Sequence, residues 1–209
     1  MVQADAVAPQ AWRNGGGQTR ELLAWPAAAD WQLRISRADI AADGPFSAFE
    51  GVDRWFTVLE GAGVTLRFTA GHAPDAVLRK GYPPLHFDGA LAPACTLLDG
   101  PTQDLNLMAR RGRGTMKCAQ AGVAWDAADS VCGLYTTGPG VWRTAGHEHG
   151  DAGGNQGDGE GGDDRDSAAR KLPAHSLLWC VMSAPALWTF VPDLPGSCAW
   201  WLGYTPESA

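Results

Sequence analysis

The chain has 209 residues, 45% of them apolar, with ten tryptophans and a formal charge of -7. That is enough apolar side chain for the core of one large β domain or two small ones. Residues 146–166 hold seven acids against Arg165, which is -6 of the total, and no Lys/Arg cluster remains to engage a phosphate backbone, which argues against nucleic acid as a partner.

No run of 18 apolar residues and no basic-then-apolar leader occurs, which argues against membrane spanning and export. Five cysteines without a C-x-x-C pair fit free thiols in a reducing cytoplasm better than a disulfide frame or a zinc site.

Helical periodicity is almost absent and short β-like runs recur between turn signals, so the chain reads as all-β. The first feature is "AWRNGGGQTRELLAW", residues 11–25. Three consecutive glycines, Gly15, Gly16 and Gly17, are costly to order unless the backbone needs unusual dihedrals or close approach. They match neither a P-loop nor a dinucleotide fingerprint. Two readings remain: an anion-binding concavity of backbone N–H groups with Arg13, Asn14 and Arg20 nearby, or a tight structural crossing.

"WQLRISRAD" alternates Trp31, Leu33 and Ile35 with Gln32, Arg34 and Ser36, the pattern of a half-buried strand. "DGPFSAFEG", residues 43–51, combines turn formers with Phe46 and Phe49 and reads as an ordered loop packed on the body. In "RWFTVLEGAGVTLRF" two β-rich runs flank Gly61 and Gly63, which predicts a hairpin. Residues 71–101 add short strands around Pro83-Pro84. "LLDGPTQDLNLMARRG" gives a turn and then a strand with Asp104, Asn106 and Met108 on one face and Leu105 and Leu107 on the other.

Residues 146–166 contain eight glycines and no large apolar side chain, a composition that predicts a disordered Gly/Asp-rich insertion. His147 and His149 have metal-ligand spacing there, but nothing around them would fix a ligand geometry, and His72, His86 and His175 are scattered. "AHSLLWCVMSAPALWTFV" and "CAWWLGY" are too apolar for a tail and complete the fold. There is no nucleophile elbow. Glu21, the Asp53-Arg54 pair, and Asp104 with Asn106 are polar groups able to converge in a cavity. Taken alone, Asp53-Arg54 also reads as a turn with a paired charge, and Asp104 as a cap.

"RNGGGQTRE", "ADIAADGPFSAFEGVDRWFTVLEG" and "LLDGPTQDLNLMARRG", in this order, resemble the signature blocks of the HutD/Ves family. The resemblance covers about residues 10–112. It implies a cupin architecture, the RmlC-like jelly roll or double-stranded β-helix, as a bicupin with two β-barrel halves in a single unit spanning 1–209. It also implies a role around histidine utilisation, through sensing of an intermediate such as urocanate or a formylated glutamate.

Two departures stand out: Ala90 follows "HFDG" where an acid is expected, and the Gly/Asp-rich insertion is unusual. Metal-dependent cupins carry an H-x-H pair near the first hairpin, and "DRWFTVLEGAG" has no histidine, so neither a metal nor another cofactor is expected.

The expected site is a metal-free cavity for a carboxylate metabolite. Its candidate ligand-binding residues are Asn14, Gly15, Gly16, Gly17, Thr19, Arg20 and Glu21 from the glycine block, Phe46, Ser47, Asp53 and Arg54 from the second, and Asp104, Asn106 and Met108 from the third. Arg54 or Arg20 would pair with a carboxylate and Asn106 would hydrogen-bond its other end. Alternatives are a small-acid isomerase or hydrolase using Glu21 or Asp104 as a base, and a stress-response protein with no catalysis. A homodimer through strand edges or faces is compatible with the many tryptophans.

Overall fold

The computed structural model describes residues 1–68, 74–146 and 168–207. Helix among them is limited to two 3-10 turns, Ala4–Ala6 and Gly89–Leu91; the rest of the regular structure is strand, in four antiparallel sheets.

A six-stranded sheet runs, in spatial order, Gln10–Ala11, Gly17–Trp25, Leu33–Ile40, Thr102–Arg110, Val52–Glu60 and Leu85–Asp88. A four-stranded sheet of Gly44–Pro45, Ala94–Leu97, Val64–Arg67 and Ala76–Leu78 covers one of its faces, where Phe56 and Val58 meet Val64, Leu66 and Cys95. Its other face meets a five-stranded sheet of Val2–Gln3, Ser176–Val181, Val131–Thr136, Ala199–Tyr204 and Gly114–Cys118. Ile35, Leu105 and Leu107 pack there against Tyr135, Leu177 and Trp200.

The last layer, Trp125–Ala127, Ala186–Pro192, Gly140–Gly146 and Ala168–Leu172, closes on the five-stranded sheet through Leu134, Leu178, Trp188, Phe190 and Trp201. Two two-sheet halves are thus joined back to back by apolar burial on both faces of both inner sheets.

The halves are filled differently. Tryptophans crowd the interior of the second: Trp125 stacks on Trp201 at 5.1 Å between ring centroids, and Trp142 meets Trp188 edge-on at 5.1 Å. The first half keeps an open interior.

Two local expectations are corrected. Leu33–Ile40 is covered on both faces rather than half-buried, with Leu33, Ile35, Ser36, Arg37 and Ala38 all buried. The alternation in its sequence separates two interiors, one apolar and one polar. The stretch from Trp55 to Phe68 is not a hairpin either: Val52–Glu60 pairs with Thr102–Arg110 and Leu85–Asp88, while Val64–Arg67 pairs with Ala94–Leu97 and Ala76–Leu78.

The glycines between them take φ of +93° and +104° because the chain turns a corner from one sheet into the other. A Cβ at Gly61 would lie 2.5 Å from the Pro101 carbonyl oxygen, and one at Gly63 would collide with that of Leu78.

Apart from Gly146, the insertion expected over 146–166 lies outside the described residues, as do His72, His147 and His149. The strands that bracket it, Gly140–Gly146 and Ala168–Leu172, pair antiparallel with Thr144 opposite Ala168.

Candidate functional site

The open interior of the first half is a cavity of about 600 Å³, within the range of small-molecule sites. Period-two alternation builds its wall. Thr19, Ala38 and Asp104 stand in register across three neighbouring strands, Ser36 lies opposite Asn106, and Arg34, Met108 and Arg54 form the next row. All of these line the cavity. The intervening residues Leu33, Ile35, Leu105 and Leu107 turn to the core between the halves. Residues 10–14, Pro45, Phe46, Ser47 and Phe49 complete the lining.

Arg54 closes the row beside Met108. Its guanidinium lies over the rings of Phe46, Phe87 and Phe49, at 4.9, 5.2 and 5.8 Å from their centroids, where the ring quadrupoles favour a cation. Nη2 donates to Asn106 Oδ1 at 3.2 Å and Nη1 to the Ser47 carbonyl at 3.4 Å, while buried Nε has no protein partner. Burial lowers its pKa to about 10, which leaves it charged at neutral pH.

Asp104, 1% exposed, accepts a long hydrogen bond of 3.5 Å from Asn106 Nδ2. Burial pushes its pKa up to about 8 against the attraction of Arg54. The other strand-borne arginine, Arg34, is neutralised: its Nε donates to Glu21 Oε2 at 2.6 Å.

Some of the other candidates fall outside the lining. Gly15, Gly16 and Gly17 form a structural crossing beside the cavity and are not part of its lining. Gly15 N–H donates to the Trp12 carbonyl at 3.0 Å and Gly16 N–H to Asn14 Oδ1 at 3.0 Å, so two donors of the supposed anion concavity are already used. At Gly17 a Cβ would strike the Asp39 carbonyl oxygen and lie 3.0 Å from the Trp12 ring. Asn14 does reach the cavity, as does Trp12, whose indole Nε1 donates to Thr19 Oγ1 at 2.7 Å.

Arg20 turns to the other side of its strand, where Nη1 donates to the Val7 carbonyl at 2.5 Å. Asp53, next to Arg54, also faces away: Oδ2 accepts from Gly112 N–H at 2.7 Å and Oδ1 lies 3.6 Å from His86 Nε2. Glu21 acts on the cavity only through Arg34. Ala90 is not in the lining; its N–H donates to Asp88 Oδ1 at 3.0 Å.

Arg34, Ser36, Trp12 and Phe49 are lining residues outside the candidate set. Alternation along "LRISRAD" marks Arg34 and Ser36 as one face, but reading that face as solvated hid them.

Among the described residues no three His, Cys, Asp or Glu side chains gather as a metal-ligand set, and the described lining has Asp104 as its one carboxylate and no imidazole. That donor set does not fit a metal centre.

These features define an all-β protein of cupin-like fold with a polar cavity in its first half. The fold recurs at a TM-score of 0.59 and 8% identity in a variant of oxalate decarboxylase from Bacillus subtilis, over 99% of this chain and 77% of that one. The chain belongs to the HutD family, whose profile matches residues 4–146.

Protein Ves of Citrobacter koseri is 37% identical over 134 residues, 63% of this chain and 69% of that protein. HutD from Pseudomonas fluorescens SBW25 superposes with a TM-score of 0.66 at 22% identity. A conserved protein of unknown function from Pseudomonas aeruginosa PAO1 does so with 0.72 at 23%. Both structural matches cover 98% of each chain.

Proposed function

We propose that this chain is a bicupin that binds a small carboxylate metabolite in its first barrel and thereby modulates histidine utilisation. Arg54 is the observation that carries the reading. A buried guanidinium held by phenyl rings, one side-chain amide and one backbone carbonyl, with no carboxylate in ion-pair contact among the described residues, is an anion receptor. Asn106, Ser36 and the Thr19 hydroxyl, which keeps its own proton after accepting from Trp12, offer polar contacts to the rest of such a ligand. Membership of the HutD family supports the metabolic context, and urocanate and formylglutamate both present the carboxylate that Arg54 requires.

Calorimetric titration with urocanate, formylglutamate, histidine and glutamate, followed by analysis of each mixture for product, tests this reading. Saturable binding of one intermediate without turnover, lost in Arg54→Met, is the expected result. Binding that survives Arg54→Met removes Arg54 from the site, and no binding at all favours a stress-response role.

A second reading, a small-acid isomerase or hydrolase, draws on Asp104, a buried carboxyl whose pKa of about 8 suits proton transfer near neutral pH. Formation of product would decide for it.

A further inference from the structure

Asp104 and Arg54 share one cavity face and are joined through Asn106. The amide of Asn106 is oriented by the guanidinium: its oxygen accepts from Arg54 Nη2, so its nitrogen points to Asp104 Oδ1. Reversing the amide would set donor against donor. Asp104 therefore receives one long hydrogen bond, is 1% exposed, and forms no ion pair within the described residues. A carboxylate so placed is costly to ionise, because burial strips most of its hydration and no contacting cation among the described residues replaces it.

The groups around it add little to change that. Arg54 attracts its charge across the amide, and Asp39, carried by the neighbouring strand, opposes it. Arg34 is neutralised by Glu21. From the facing sheet comes Cys95, whose thiol burial pushes to about 12, so it stays neutral throughout the working range.

Resting on the reading of this cavity as a carboxylate site, we propose that anion binding here is proton-linked through Asp104: the cavity accepts an anion on Arg54 only while Asp104 holds its proton. With the carboxyl neutral, Arg54 presents its whole charge to the ligand. Once it ionises, an internal anion already balances the guanidinium and repels a second one. Binding above the titration of Asp104 thus takes up one proton onto its carboxylate for each anion bound.

The sign follows by linkage. Affinity is level while Asp104 is protonated in the free protein, then falls by up to about tenfold per pH unit as it ionises. The raised pKa of Asp104 puts that fall just above neutrality.

Calorimetry of the full chain with formate and with urocanate, from about pH 6 to about pH 9 and in two buffers of different ionisation heat, reads both affinity and proton uptake. For the unmodified protein the expected result is flat affinity at the acid end, weakening toward alkaline pH, and uptake approaching one proton per anion. In Asp104→Asn, which keeps the shape without the charge, affinity no longer depends on pH and uptake vanishes.

Saturable binding with no pH dependence and no proton uptake in the unmodified protein overturns the linkage and leaves the carboxylate site standing. An unchanged pH profile in Asp104→Asn also overturns it. No saturable binding of either probe at any pH overturns the site, and the linkage with it.

Discussion

Arg34 Nε donates to Glu21 Oε2 at 2.6 Å across neighbouring strands, and this ion pair separates the two strand-borne arginines of the cavity into one that is neutralised and one that is not. Arg34 and Arg54 flank Met108 in the same row of the sheet. Of these two, Arg54 is the one with no carboxylate partner in the ion pairs of the described residues.

Glu21→Gln releases Arg34 and adds its guanidinium to that of Arg54 in the same row of the wall. The preference of the cavity should then shift toward dicarboxylates, with glutamate gaining about threefold to tenfold over urocanate at low ionic strength. Competition titration measures the ratio; a ratio that does not move means that Arg34 is out of reach of the ligand.

Asp53 provides the contrast to Arg54. Its carboxylate accepts from Gly112 N–H at 2.7 Å on the side of the sheet away from the cavity, so Asp53→Ala removes a charge-assisted hydrogen bond. The expected cost is about 1–3 kcal/mol of stability with carboxylate affinity unchanged. Urea denaturation and calorimetry on the same preparation check the two halves of this expectation, and a loss of affinity at full stability would contradict it.

The glycine run should respond position by position. Gly17→Ala forces a Cβ into the Asp39 carbonyl and the Trp12 ring, a clash expected to cost about 1–3 kcal/mol and to loosen the indole that roofs Thr19. At Gly16 the nearest atom, Asn14 Oδ1, is 3.4 Å away, so Gly16→Ala should cost less. Equal melting temperatures for the two variants would show that the crossing yields more easily than its geometry implies.

Asp104 makes stability depend on pH. Its folded pKa, about 8, stands above the ordinary carboxyl value of 3.8, so between those values the folded state holds a proton that the unfolded state releases. Stability contributed by this group is therefore complete below the lower value, falls as pH rises through the interval, and levels off above the upper one. Asp104→Asn should flatten that descent and be relatively more stable at alkaline pH. Denaturation midpoints across the interval test it; parallel curves for the two proteins would place the titration elsewhere.

Much of the wall was legible where a single strand carries its own evidence. Asp104, Asn106 and Met108 alternate with Leu105 and Leu107, and alternation alone assigns them to one face. Arg54 is legible only as half of the charged pair Asp53-Arg54, because adjacency in sequence does not reveal that the two face opposite ways.

Other parts depend on contacts that no local pattern encodes. Arg34 and Ser36 look like a solvated face until a second sheet is known to cover them. The link at Gly61–Gly63 has hairpin composition, yet a chain that turns back and one that turns a corner need the same positive φ. The glycine run admitted two readings because close approach to Asp39 and Trp12 is decided by residues distant in the fold.

The central sheet has a further consequence for how this protein can change. Along Thr102–Arg110 each even position from 104 to 108 reads the cavity, and Leu105 and Leu107 grip the second half. Substitutions can therefore retune recognition and adhesion independently. A one-residue insertion or deletion in that strand would exchange them, placing leucines in the cavity and Asp104 in the apolar layer that holds Tyr135, Leu177 and Trp200. The strand is open to drift in composition and closed to drift in length.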